Sequence, residues 1–88
     1  MRPLTPEQVL AVADEFCAAR GVHVRSFGAL AACAAVPGAR IHGVPVCGSP
    51  REGAFLLFDA TVRLKPLTDH NQTFAAVLRD TYLRWCDG

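Results

Sequence analysis

The sequence predicts an all-α fold: a small helical bundle with one short loop or β-flap. Four helix-start signals each precede apolar residues at helical spacing, and Gly or Pro punctuates the first three runs where they stop. The composition is 51% hydrophobic and 19% charged over 88 residues, enough for one core and too little for two. Residues 1–88 therefore read as a single domain.

The first helix spans 6–20. Thr5 is its N-cap, Pro6 takes the first helical position, and Gln8 returns the capping-box bond. Leu4 and Val9 are spaced for a hydrophobic staple, and Gly21 supplies the C-terminal stop. Ser26 caps a short Ala-rich helix that Pro37-Gly38 ends. The stretch from Arg40 to Cys47 alternates around Gly43 and carries Pro45, which fits a loop or short β-flap better than a central strand. Ser49-Pro50-Arg51-Glu52 repeats the capping logic, and Ala54 to Leu64 is apolar on almost every face, so the third helix is expected at the centre of the domain. Lys65-Pro66 ends it, because a residue before proline is pushed out of the α region. Asp69 and Gln72 form a further capping pair. The stripe Phe74, Val77, Leu78, Thr81, Tyr82 and Trp85 makes the fourth helix the clearest amphipathic one, with Asp80 and Arg84 paired on its outer face.

Nine basic residues face eight acidic ones, scattered along the chain, so no nucleic acid is expected as a partner. Cys17, Cys33, Cys47 and Cys86 form no CxxC pair and lie in or near apolar stretches, which reads as reduced thiols in a cytoplasmic protein. No apolar run approaches membrane-spanning length, and the N-terminus lacks the build of a signal peptide. His42 and Cys47 have no second pair at zinc spacing and belong to the flap.

The chemistry-bearing segment is Lys65-Pro66-Leu67-Thr68-Asp69-His70-Asn71-Gln72-Thr73, which leads into the N-terminus of the fourth helix. Free backbone N–H groups and a positive dipole end favour an anion there. Asp69 could hold a divalent cation, Asn71 could donate to a phosphate oxygen, and Lys65 and His70 could add charge or move a proton. The alternative is a helix–turn–helix corner in which Asp69 merely caps, Lys65 is a helix-end cation and His70 a surface histidine.

At these residues the sequence resembles the Fic/Doc (fido) family, in its death-on-curing toxin branch, whose signature is H-P-F-x-D-G-N-K-R between two helices. Pro66, Asp69 and Asn71 match it, whereas Lys65 stands at the histidine, His70 at the glycine, and Gln72 and Thr73 at the basic positions. Leu4 to Leu10 is similar to the family's opening L-T-x-E-x-V-L. Arg25 to Leu30, followed by Pro37, is similar to its R-D-x-G-x-L…P block, and Glu52 to Arg63 to the helix before the motif. Leu83 to Gly88 resembles the L-x-x-N-G that follows the motif helix, after which typical members continue into another helix.

The resemblance implies a transferase that moves a nucleotidyl or phosphoryl group to a protein side chain, with Mg²⁺ at the acidic residue and a nucleotide as donor. It also implies silencing by an antitoxin and a translation elongation factor as target. It puts Lys65 at the position of the base, phosphate or anion binding at Asn71, Gln72 and Thr73, Mg²⁺ at Asp69, and the target flap at Arg40 and His42; His70, at the glycine position, joins Lys65 as a candidate catalytic residue through its own chemistry. An exposed lysine is a poor base, and two lost basic side chains remove charge-assisted phosphate bonds of roughly 1.5–3 kcal/mol each. Normal transfer is therefore expected to be lost or reduced. The expected function is that of a degenerate domain acting by protein binding in a toxin–antitoxin-type system, its partner an antitoxin-like protein, a translation factor or a second copy. The alternative is a divergent phosphoryl- or nucleotidyl-transferase using the 65–73 turn. Tyr82 and Trp85 are expected in the core or exposed as interface anchors where the family's last helix is missing.

Overall fold

The computed structural model describes residues 4–41, 43–45 and 48–87. Four helices account for most of them: α1 (Pro6–Arg20), α2 (Phe27–Ala35), α3 (Pro50–Leu64) and α4 (Asn71–Asp87). A 3₁₀ turn at Val36–Gly38 follows α2, and β1 (Arg40–Ile41) pairs antiparallel with β2 (Val44–Pro45) in a minimal hairpin. The fold is all-α, with the flap expected between the second and third helices. His42 and Cys47 lie outside the described residues.

The start of α1 forms as its sequence dictates. Gln8 N–H donates to Thr5 Oγ1 at 3.1 Å while Thr5 N–H donates to Gln8 Oε1 at 2.8 Å, so two orphan donors are satisfied reciprocally. Leu4 and Val9 are both buried, completing the staple, and Gly21 ends the helix at φ 68° with its N–H on the Cys17 carbonyl. Ser26 and Ser49 cap α2 and α3 through Ala29 N–H and Glu52 N–H. At α3 the return arm reaches one residue further than a capping box: Glu52 Oε2 accepts from Gly48 N–H at 2.7 Å.

Helices α3 and α4 form the main packed pair, with α1 against α2 and α4, and α2 against α3. Phe16 of α1 meets Phe74 of α4 with ring centroids 5.2 Å apart and tilted by 53°, a favoured aromatic arrangement. Leu57, Leu67, Leu78 and Tyr82 complete the centre, all essentially solvent-free. Each such side chain contributes about 1.5–3 kcal/mol by leaving water. Tyr82 is thus wholly internal, and its ring rests on α3 where Gly53 has no side chain. A Cβ at Gly53 would stand 2.8 Å from the Tyr82 hydroxyl oxygen and 3.2 Å from two ring carbons. Cys33 is fully buried, and burial pushes its thiol above the usual range, against the opposing pull of a Thr61 hydrogen bond.

Two expectations are corrected. Helix α3 takes the central place expected of it, against α4, α2 and the 3₁₀ turn, but it is not buried on every face: it buries Gly53, Ala54, Leu57, Ala60 and Thr61 and turns Phe55 outward, 66% exposed. The small residues lie on one side, so that side alone approaches its neighbours closely. On α4, Asp80 pairs with adjacent Arg79, Oδ1 to Nε 3.1 Å, rather than with Arg84; Arg79 also lies over the Phe58 ring of α3, 5.3 Å from its centroid. The contact with α3 fixes Arg79 in reach of Asp80.

The α1–α2 and α3–α4 connections are stitched together. Val24 and Leu67 form an antiparallel bridge; Arg25 N–H donates to the Pro66 carbonyl at 2.7 Å and Thr68 N–H to the His23 carbonyl at 2.8 Å. The Arg25 guanidinium then reaches the end of α3, Nε to the Lys65 carbonyl and Nη2 to the Leu64 carbonyl, each at 2.7 Å. These carbonyls are among the four that a helix C-terminus leaves unpaired.

Arg25→Ala should lower stability by about 1–2 kcal/mol, and Arg25→Lys should recover little, because an ammonium cannot span both carbonyls; urea unfolding midpoints measure both. Gly53→Ala should cost about 1–2 kcal/mol in the same assay despite alanine's higher helix propensity, since the Tyr82 ring must move.

Candidate functional site

The turn between α3 and α4 is built on two left-handed residues. Lys65 takes φ 49° and His70 takes φ 60°, a region that disfavours most side chains. Between them Pro66 and Leu67 are buried, while Thr68, Asp69 and His70 are exposed. The side chains of Pro66 and Leu67 anchor the turn to the core and leave its polar residues at the surface.

Asn71 closes this turn. Its Oδ1 accepts from Leu67 N–H at 2.9 Å and its Nδ2 donates to the Leu67 carbonyl at 3.0 Å, so the amide copies a backbone strand partner for one residue. Asp69 does not cap α4. The helix starts at Asn71, with Phe74 N–H on the His70 carbonyl, and Asp69 Oδ1 instead accepts from His70 N–H at 2.7 Å. The left-handed turn at His70 brings that amide to the carboxylate before the helix begins, which defeats the expected Asp69–Gln72 pair.

The sequence-predicted residues therefore share one turn but diverge in what they face. Lys65 and His70 are exposed, as are Gln72 and Thr73 in the first turn of α4; Asn71 faces inward and is committed to Leu67. Arg40 is on the hairpin, where its Nη1 donates to the Gly43 carbonyl at 2.9 Å and secures the tip. His42 falls outside the described residues.

The donors a magnesium ion would use at this turn are few and already partly engaged within it. Mg²⁺ sites commonly combine one or two carboxylates with phosphate oxygens. Here Asp69 is a lone carboxylate already turned onto a backbone amide, and the Asn71 side chain that would grip phosphate is spent on Leu67. Among the described residues no group of three or more His, Cys, Asp or Glu could hold a metal ion.

Two features escaped the sequence reading. Arg25 ties the turn to the α1–α2 connection, and nothing local in Val24-Arg25-Ser26 announces a partner some forty residues on. Phe55 and Phe27 are each 66% exposed. The signal for Phe55 was present in the sequence, since it lies across the helix from Gly53, Ala54, Leu57 and Ala60.

Compared with known protein families, curated proteins and solved structures, the chain matches none.

Asn71→Ala should cost about 1–3 kcal/mol, because it strands both backbone polar groups of buried Leu67, whereas Asp69→Ala should cost under about 1 kcal/mol. His70→Gly should raise stability by about 0.5 kcal/mol, the relief of left-handed strain exceeding the added backbone freedom. Chemical denaturation of the three variants separates these outcomes.

Proposed function

We propose that this chain is a degenerate death-on-curing-like domain that acts by binding protein rather than by transferring a phosphoryl or nucleotidyl group. The observation carrying this reading is the closed turn: Asn71, the residue matched to a phosphate-binding amide, holds Leu67 with both ends of its side chain. Asp69, matched to the metal ligand, holds the His70 amide. The residues kept from the motif thus have structural employment, and those that changed, Lys65, His70, Gln72 and Thr73, are the ones the chemistry would need.

The left-handed backbone at His70 supports the resemblance itself, since a glycine at that position of the motif would adopt this conformation without strain. Protein binding is supported by the large apolar side chains left outside, Phe27, Phe55 and Val44. A partner of toxin–antitoxin type, a translation factor or a second copy is compatible with such surfaces. No helix of the described residues is long and apolar enough to cross a membrane, and buried thiols at Cys17 and Cys33 fit the reducing cytoplasm.

Isothermal calorimetry of the folded protein against Mg²⁺ complexes of ATP, GTP, CTP and UTP should give no saturable heat. Saturable binding that disappears in Asp69→Ala would overturn the reading in favour of a divergent transferase.

A further inference from the structure

The outer face of α3 carries a short row with a distinctive charge order. Arg51, Phe55 and Asp59 are spaced four residues apart and so rise one above another on one side of the helix. Phe55 is 66% exposed at the middle of the row, Arg51 is exposed one turn before it, and the Asp59 side chain is 42% exposed one turn after it. Arg63, a further turn on, holds Asp59 Oδ2 at 2.8 Å and so steadies the carboxylate on this face. Beside Phe55 a shallow, mainly apolar groove runs along Arg51, Glu52 and Leu56.

A row reading cation, aromatic ring, anion is complementary to itself when turned end for end. We infer that this face of α3 docks a second copy of the chain, antiparallel about a two-fold axis near Phe55. Each Phe55 enters the groove of the other copy, and Arg51 of each copy meets Asp59 of the other, so the contact contains two equivalent ion pairs around one apolar centre. Such an isologous contact closes at two copies. A lipid surface fits the row poorly because Asp59 and Glu52 sit beside the ring. The inference deepens the protein-binding reading and rests on it by naming one partner.

One helix face is smaller than the ~800 Å² per partner of a standard interface, so the dimer should be weak, with a dissociation constant on the order of 10–100 µM. Sedimentation equilibrium over that range measures it. Wild type should dimerise, and Phe55→Glu should be monomeric while keeping the wild-type helical circular dichroism. Arg51→Asp and Asp59→Arg should each weaken self-association by about ten-fold or more, since each places like charges opposite each other twice. An equimolar mixture of those two variants should recover dimerisation, because both pairs are then of opposite sign. A monomeric wild type at the highest concentration, a dimer indifferent to Phe55→Glu, or a mixture that associates no better than its components would each overturn the second copy. None of these results bears on whether the 65–73 turn binds a nucleotide, which the calorimetry decides by itself.

Discussion

The arrangement of this molecule depends on Arg25 closing the end of α3. A helix that stops at Leu64 leaves carbonyls with no partner in the following turn, and the guanidinium fork takes those of Leu64 and Lys65 together. The same residue donates its backbone N–H to Pro66, so one amino acid joins the α1–α2 connection to the α3–α4 connection through both side chain and main chain. With this seam in place, Leu67 and Val22 enter the core and α4 leaves the turn in register to place Phe74 against Phe16. Packing then supplies most of the stability, but the seam fixes which faces pack.

The same seam explains why the polar turn is a structural device more than an open site. Two left-handed residues in one short connection are costly, and the turn persists because Pro66 and Leu67 are buried and Asn71 replaces the hydrogen bonds that Leu67 cannot make to a strand. An amide engaged at both ends cannot reach outward without giving up that closure. The proposal of a silent, protein-binding domain follows from this competition for the polar atoms of the turn, and the charged row on α3 offers it a separate surface.

Much of the fold was legible because its signals are local. Thr5, Ser26 and Ser49 announced three helix starts, Gly21 and Lys65-Pro66 announced two ends, and the stripe from Phe74 to Tyr82 marked a buried face. Where the reading failed, the deciding contact was distant in sequence or depended on size. Ala54 to Leu64 looked apolar all round, yet the small residues Gly53, Ala54 and Ala60 were the ones drawn inward. Asp69 looked like a cap because its spacing to Gln72 was right, but the conformation of His70 set the start of the helix one turn-residue later. That Lys65, Asp69, His70 and Asn71 share one connection follows from their neighbouring positions in the chain; the engagement of Asn71 with Leu67 required knowing which way that turn folds.

The close approach of Tyr82 to Gly53 has a consequence for tracing this chain's ancestry. A contact between a bare backbone position and the end of a rigid ring couples the two positions: enlarging position 53 pushes the ring aside at a cost in stability, and shortening position 82 leaves a void over position 53. Descendants of a common ancestor should therefore keep the glycine and the tyrosine as a linked pair, or exchange both, even where the exposed turn has diverged past recognition. That linkage is a fingerprint in which kinship can be sought when the overall sequence gives none.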